Sequence, residues 1–344
     1  MAAHPDVLIL GGGVIGLTTA YFLAREKIRV TVIDRGQMAG EASWAGAGII
    51  PPLADNVMTH PLERLRQLSV ARFPDFSAEL QSFTTIDNEF HTCGGIEYVS
   101  TVDDLDRWKA AGVAYEFDES RFIARLAYSQ VRNPRHLKAL ILACRQLHVD
   151  LQPNTTVDPQ KLPDAGQTLI AAGAWSSELL PPEFHQPIHP VQGQIILFHP
   201  PQPVLNHIII DRHRYLVPRK DGRVLVGSTE EPEAGFDKAI TKAGIANLLR
   251  YAYLRCPALK RKPIERAWAG LRPGSRDGWP YLGPVPGRDK LFIATGHYRA
   301  GLQLSVATGE GMAAMLLGKP MAMSFEPFRL GRGMKKHPKP LFRL

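Results

Sequence analysis

The sequence predicts an α/β (α+β) fold of two interleaved domains, and two stretches carry that expectation. Residues 6–34, DVLILGGGVIGLTTAYFLAREKIRVTVID, read as a short apolar strand, a glycine turn, a helix with apolar spacing and a β-branched strand, which together make a βαβ unit. Residues 187–232 instead contain QIILFHP and HIIIDRHRYLVPRKDGRVLVGSTEE with an Asp221-Gly222 turn, the pattern of antiparallel strands joined by hairpins. With 344 residues, 44% of them hydrophobic, the chain is long enough to give each sheet its own core.

The first unit carries Gly11-Gly12-Gly13-Val14-Ile15-Gly16, and Asp34 follows the last of these glycines by eighteen residues. Each position has a physical reason. Gly11 permits a tight turn, Gly13 lets the backbone approach a pyrophosphate at a helix N-terminus, and Gly16 lets that helix pack closely on the strand. Asp34 at the end of the next strand is placed to accept from ribose hydroxyls, so the unit reads as a dinucleotide site, with the identity of the dinucleotide left open.

Other classes are set aside by what is missing. Cys93, Cys144 and Cys256 are odd in number and form no CxxC, so neither a disulfide framework nor a zinc site is supported. None of the twelve histidines stands in a metal-binding spacing, and no GxSxG marks a hydrolase. No segment approaches a membrane span or an export signal, so a soluble cytoplasmic protein is expected. The net charge of +8 is concentrated at the end, in Arg329, Arg332, Lys335, Lys336, Lys339 and Arg343. That argues for a solubilising basic tail over 329–344 and against nucleic acid or membrane as partners.

Further motifs resemble one family. The fingerprint followed by DRGQMAGEASWAGAGIIPP, then TLIAAGAWSS at 168–177, ERAWAGLRPGSRDGWPYLGPV and LFIATGHYRAGLQLSVATGEGMAAMLLG, is similar to the D-amino-acid oxidase family of FAD enzymes. The similarity covers most of residues 6–328 and is nearest to the family's glycine oxidases, which supply oxidised glycine for the thiamine thiazole. It implies a glutathione-reductase-like FAD-binding domain from 1–75, 132–186 and 269–328, and an interleaved antiparallel-sheet substrate domain from 76–131 and 187–268. FAD is implied as a non-covalent cofactor, since 42–49 and 296–303 contain no cysteine.

By the same resemblance, cofactor contacts fall on Gly11, Gly13, Val14, Ile15, Gly16, Asp34, Arg35, Ala42, Ser43, Ala47, Gly48, Ile49, Val157 and Gly173. The loop His297, Tyr298, Arg299, Ala300, Gly301, Leu302 and Gln303 would lie along the flavin, with a helix opening near Val306 or Ala307. Val157 belongs to a Thr-x-Val strand at 155–157, after which only DPQKLPDAGQ replaces the longer meander of relatives. Arg272 in GLRPG would bind a substrate carboxylate, because a planar, permanently charged guanidinium forms two parallel hydrogen bonds to it. Arg299 in GHYRAG would stand near the flavin as the second arginine, and Tyr215 in HRYLVPR would donate to the carboxylate, with His213 on the same strand face.

The reaction implied is oxidative deamination of glycine, sarcosine or a small D-amino acid, with molecular oxygen as acceptor, no metal, and a homo-oligomer left open. Three alternatives stand beside it: a dehydrogenase serving a quinone or carrier, an oxidase acting on carboxymethylamino groups of tRNA, and a flavin-binding scaffold without turnover. Peroxide yield, salt-sensitive RNA binding and anaerobic bleaching would separate them.

Overall fold

A computed structural model describes residues 4–53, 60–99, 101–118, 121–184 and 188–333. A six-stranded sheet runs in the order Tyr281–Pro284, Leu291–Thr295, Gln167–Ile170, Val7–Leu10, Val30–Ile33, Asp150–Gln152. All its pairings are parallel except that of the outermost strand, Tyr281–Pro284. Every residue of Val7–Leu10 is buried because helices cover one face and a second apolar layer covers the other, as an unbroken apolar strand requires. Helices Val14–Arg25, Pro61–Thr84, Asn133–Gln146 and Gly301–Leu316 supply the first layer.

The second sheet has eight strands, in the order Ile264–Ser275, Ile188–Phe198, Val224–Gly227, Arg214–Pro218, Ile208–Asp211, Gly95–Tyr98, Arg121–Leu126, Glu116–Asp118. It is antiparallel apart from one parallel pair, Ile208–Asp211 with Gly95–Tyr98, and the expected turn holds Gly222 at φ 82°. Its strands alternate. Ile196, Leu216 and Val226 pack under helix Lys242–Arg255, while Ile195, Tyr215, Val217 and Leu225 face inward with Ala47 and Ile49 of the first domain. The inward face is the roof of the cavity described below.

Several expectations need correction. The boundary at 75/76 falls inside the single helix Pro61–Thr84, whose Phe73, Phe76 and Leu80 are buried in the same core as Val7 and Ile9. The boundary at 268/269 likewise cuts one continuous strand, Ile264–Ser275. Residues 155–157 are not a strand; the strand is Asp150–Gln152, and the short connection after it lays Val157, Leu162 and Ala165 on the second face of the parallel sheet. Trimming thus leaves that face covered.

The tail is also not purely a solvated extension. Leu330 is 3% exposed in the layer behind the parallel sheet, and Arg332 makes a two-pronged pair with Asp277 at 2.7 Å on both arms. Arg332 also donates to the Trp279 and Pro280 carbonyls and lies over the Tyr281 ring at 4.0 Å. Residues 334–344 lie outside the described residues. Removing one arm of a buried pair strands the other charge, so truncation after Phe328 is expected to cost about 3 kcal/mol. Truncation after Gly333 should cost below about 0.5 kcal/mol. Urea unfolding of the two shortened chains checks this, and equal midpoints would refute it.

Candidate active site

A cavity of about 750 Å³ opens between the C-terminal ends of the parallel strands and the roof sheet. It is lined from both domains, where open α/β sheets place their ligands. At one end the glycine loop turns with Gly11 at φ 116°, where a Cβ would stand 2.4 Å from the Ala171 carbonyl oxygen. Helix Val14–Arg25 begins directly after it, uncapped by its own Gly13, and the Ser43 hydroxyl instead accepts from Val14 N at 2.9 Å. Ser43 therefore sits at the helix N-terminus.

Asp34 fastens the loop before any ligand arrives. Its two oxygens accept from Gly12 N and Gly36 N, each at 2.8 Å, which leaves further lone pairs on the same carboxylate for hydroxyl donors. Arg35 lies over the Trp175 ring at 4.0 Å. Ala42, Gly48, Ile49, Val157 and Gly173 all line the cavity, as do Gly13 and Ile15. Gly16 does not; a Cβ there would meet the Gly11 carbonyl at 2.0 Å, so its part is the packing of helix on strand.

A second helix N-terminus reaches the cavity from Gly301, five residues before the expected start. Gly301 is helical at φ −52°, and Leu302 and Gln303 of the first turn line the wall, so the positive end of this helix's dipole lies there. Ala300, in the preceding turn, does not line it. Gln303 is held from behind by Arg66, whose Nε donates to its side-chain oxygen at 3.0 Å.

At the roof end, Arg272 crosses above Gly193, where a Cβ would stand 2.1 Å from the guanidinium, so only glycine leaves room for it. Arg272 donates to the Ser228 hydroxyl at 2.7 Å and to the Gln192 and Thr229 carbonyls at 3.2 and 3.3 Å. Among the described residues no carboxylate pairs with it, although burial and the nearby Arg299 charge lower its pKa from the ordinary arginine value. A desolvated cation with neutral partners facing an open cavity suits an anion. Tyr215 lies flat against Gly227 and lines the same wall with its hydroxyl without a partner among the described residues.

His213 departs from expectation. It lies in the tight turn between Ile208–Asp211 and Arg214–Pro218, not on the strand, and does not line the cavity; its carbonyl accepts from Arg299 at 2.5 Å. Burial and then the Arg299 charge lower the His213 pKa. Arg299 lines the cavity but is already paired with Glu230 at 3.1 Å, and the Tyr298 hydroxyl donates to the same carboxylate. Burial works to raise Glu230, yet that hydroxyl and the arginine outweigh it and hold its pKa below the ordinary value.

Glu230 and Gly193 are residues that sequence motifs do not single out. Arg219 is another: it is buried, burial pulls it down to about 10, and it bonds the Ala47 carbonyl at 2.8 Å and the Gln130 side-chain oxygen at 2.8 Å. It ties the small-residue loop to the roof. Its signal is an arginine directly after the strand Arg214–Pro218, too common to notice.

His297 lines the cavity wall, fully enclosed, with Nε2 3.2 Å from the Thr308 hydroxyl, and burial pushes it down to about 3. Burial likewise holds His136 down to about 4. Between pH 6.5 and these values the unfolded chain binds protons that the folded chain refuses. Stability should therefore fall on acidification below 6.5, by on the order of 1.4 kcal/mol per pH unit for each histidine. Urea unfolding at pH 7, 6 and 5 checks this, and a flat response in that range would contradict the burial of both rings.

A family model described as DAO, FAD dependent oxidoreductase, matches residues 6–315. The chain is similar to a glycine oxidase of Pseudomonas putida, at 34% identity over 94% of this chain and 97% of that one. The crystal structure of glycine oxidase from Geobacillus kaustophilus is similar with a TM-score of 0.88 and 30% identity, covering 97% of this chain and 100% of that one. That of Bacillus cereus glycine oxidase is similar at a TM-score of 0.83 and 28% identity, over 96% and 99% of the two chains.

Proposed function

The chain belongs to the DAO family of FAD dependent oxidoreductases, and from that premise we propose that it oxidises glycine or another small amino acid, sarcosine and small D-amino acids included. For glycine, two electrons and two protons leave the amine and its carbon, the imine takes up water to give the 2-oxo acid and ammonia, and molecular oxygen becomes hydrogen peroxide. The resemblance places this product in the supply of the thiamine thiazole. One observation carries the substrate class: among the described residues Arg272 faces the cavity without an acid paired to it, beside a Tyr215 hydroxyl without a partner.

The residues fit FAD. A glycine turn that any Cβ would fill, a helix N-terminus opening on the cavity beside Ser43 and an acid at the second strand's end suit a pyrophosphate and ribose, and the cavity continues from there to the roof. When bound, FAD supplies the two-electron acceptor. The chain's own part is positioning. Arg272 and Tyr215 hold a carboxylate, the roof sheet excludes water, and the amides of Gly301 to Gln303 stabilise negative charge in front of them. No side chain is required as a base when the amine enters neutral.

The purified protein should be yellow and release its flavin to the supernatant on acid precipitation. Anaerobic glycine or sarcosine should bleach it, and air should restore the colour with an equimolar yield of peroxide. Bleaching by no small amino acid would overturn the proposal.

A further inference from the structure

At the roof end of the cavity stand two guanidinium groups, Arg272 and Arg299, and they are not equivalent. Among the described residues Arg272 bonds a hydroxyl and two carbonyls, while Arg299 gives one arm to Glu230 and the other to the His213 carbonyl. Glu230 comes from the loop after strand Val224–Gly227, on the roof side, and takes a second hydrogen bond from the Tyr298 hydroxyl. A single carboxylate therefore finds, among the described residues, one roof-end cation that no acid pairs directly. A second carboxylate would have to displace Glu230 from Arg299, or sit beside an ionised Glu230 at the cavity's edge. Like charges so placed repel strongly.

We propose that Glu230 is a specificity-determining residue that neutralises Arg299 and so restricts the site to substrates with one carboxylate. The proposal rests on the amino-acid reading above for its substrate class. Its geometry makes it separable by mutation. Glu230 is exposed, its side chain 38% accessible against 13% for Arg299, and none of the hydrophobic clusters includes it. Glu230→Gln keeps the size and the acceptor for Tyr298 but removes the charge that Arg299 meets.

The FAD-loaded parent and E230Q are titrated with acetate and with malonate, followed by the change in flavin absorption, and then assayed with sarcosine and with iminodiacetate. In E230Q the malonate Kd is expected to fall about tenfold while that of acetate stays within about threefold. The ratio of kcat/KM for iminodiacetate to that for sarcosine should rise by a similar factor. Adding R299Q to E230Q should abolish the gain, because the gain acts through the Arg299 charge. Unchanged ratios in E230Q, with a parent that oxidises sarcosine, would overturn the inference and leave the amino-acid reading intact. A parent that oxidises no small amino acid defeats that reading instead, and the malonate and acetate affinities then decide the inference alone.

Discussion

Replacing Arg272 by alanine is expected to lower kcat/KM for glycine or sarcosine by about thirty- to a thousandfold, equivalent to about 2–4 kcal/mol of transition-state binding. The guanidinium is fixed over Gly193 by Ser228 and two carbonyls, so its remaining surface is presented to the cavity in one orientation. A carboxylate held there gains charge pairing in a desolvated setting, and the rest of the substrate gains its aim from the same contact. Arg272→Lys keeps the charge but loses the planar fork and should recover only part of the loss. Arg299→Ala should cost less, because Arg299 is already neutralised by Glu230 and the amides of the following helix survive the change. All three variants should keep their flavin, measured as the ratio of flavin to protein absorption. An Arg272→Ala protein as active as the parent would place the carboxylate elsewhere.

The second large effect belongs to the opposite end of the cavity. Gly11→Ala should abolish or weaken FAD binding by at least about a hundredfold and lower the melting temperature of the apoprotein. At φ 116° an L side chain is strained by about 1–3 kcal/mol. The added Cβ would also meet the Ala171 carbonyl at 2.4 Å, an atom of the main chain that cannot swing aside. Relief requires the loop to move away from the end of the neighbouring strand, which shifts the amides at the start of helix Val14–Arg25. Flavin titration of refolded protein and thermal melting measure the two parts separately. Parental FAD affinity in Gly11→Ala would mean that the loop geometry does not matter to binding.

The βαβ unit was legible in the sequence because its signals are local: a fully apolar strand, three glycines in a fixed spacing and an acid at the second strand's end. The roof sheet was legible for the same reason, through alternation and the Asp221-Gly222 turn. What escaped is non-local. Glu230 acquires meaning only because the fold brings it to Tyr298 and Arg299, 68 and 69 positions along the chain. Arg332 looks like one of a string of tail cations until the fold sets it against Asp277, 55 positions earlier. Gly301 suggests a turn by its residue type, yet it is helical, and this moved the expected helix start downstream. His213 was misplaced by the two-residue turn in which Arg212 takes φ 59°, which ends one strand and begins the next where sequence alternation shows no break.

The cavity draws its walls from both ends of the chain: the glycine loop lies within the first sixteen residues and the helix facing it begins at Gly301. The strand Leu291–Thr295 that completes the parallel run beside Gln167–Ile170 comes equally late. During synthesis on the ribosome the dinucleotide fingerprint is therefore made first and waits. Until Leu291–Thr295 and the residues after it emerge, the strand Gln167–Ile170 lacks its neighbour on that side and the pocket lacks one wall. A chain that stalls before Leu291 therefore offers an open sheet edge rather than a half-built pocket.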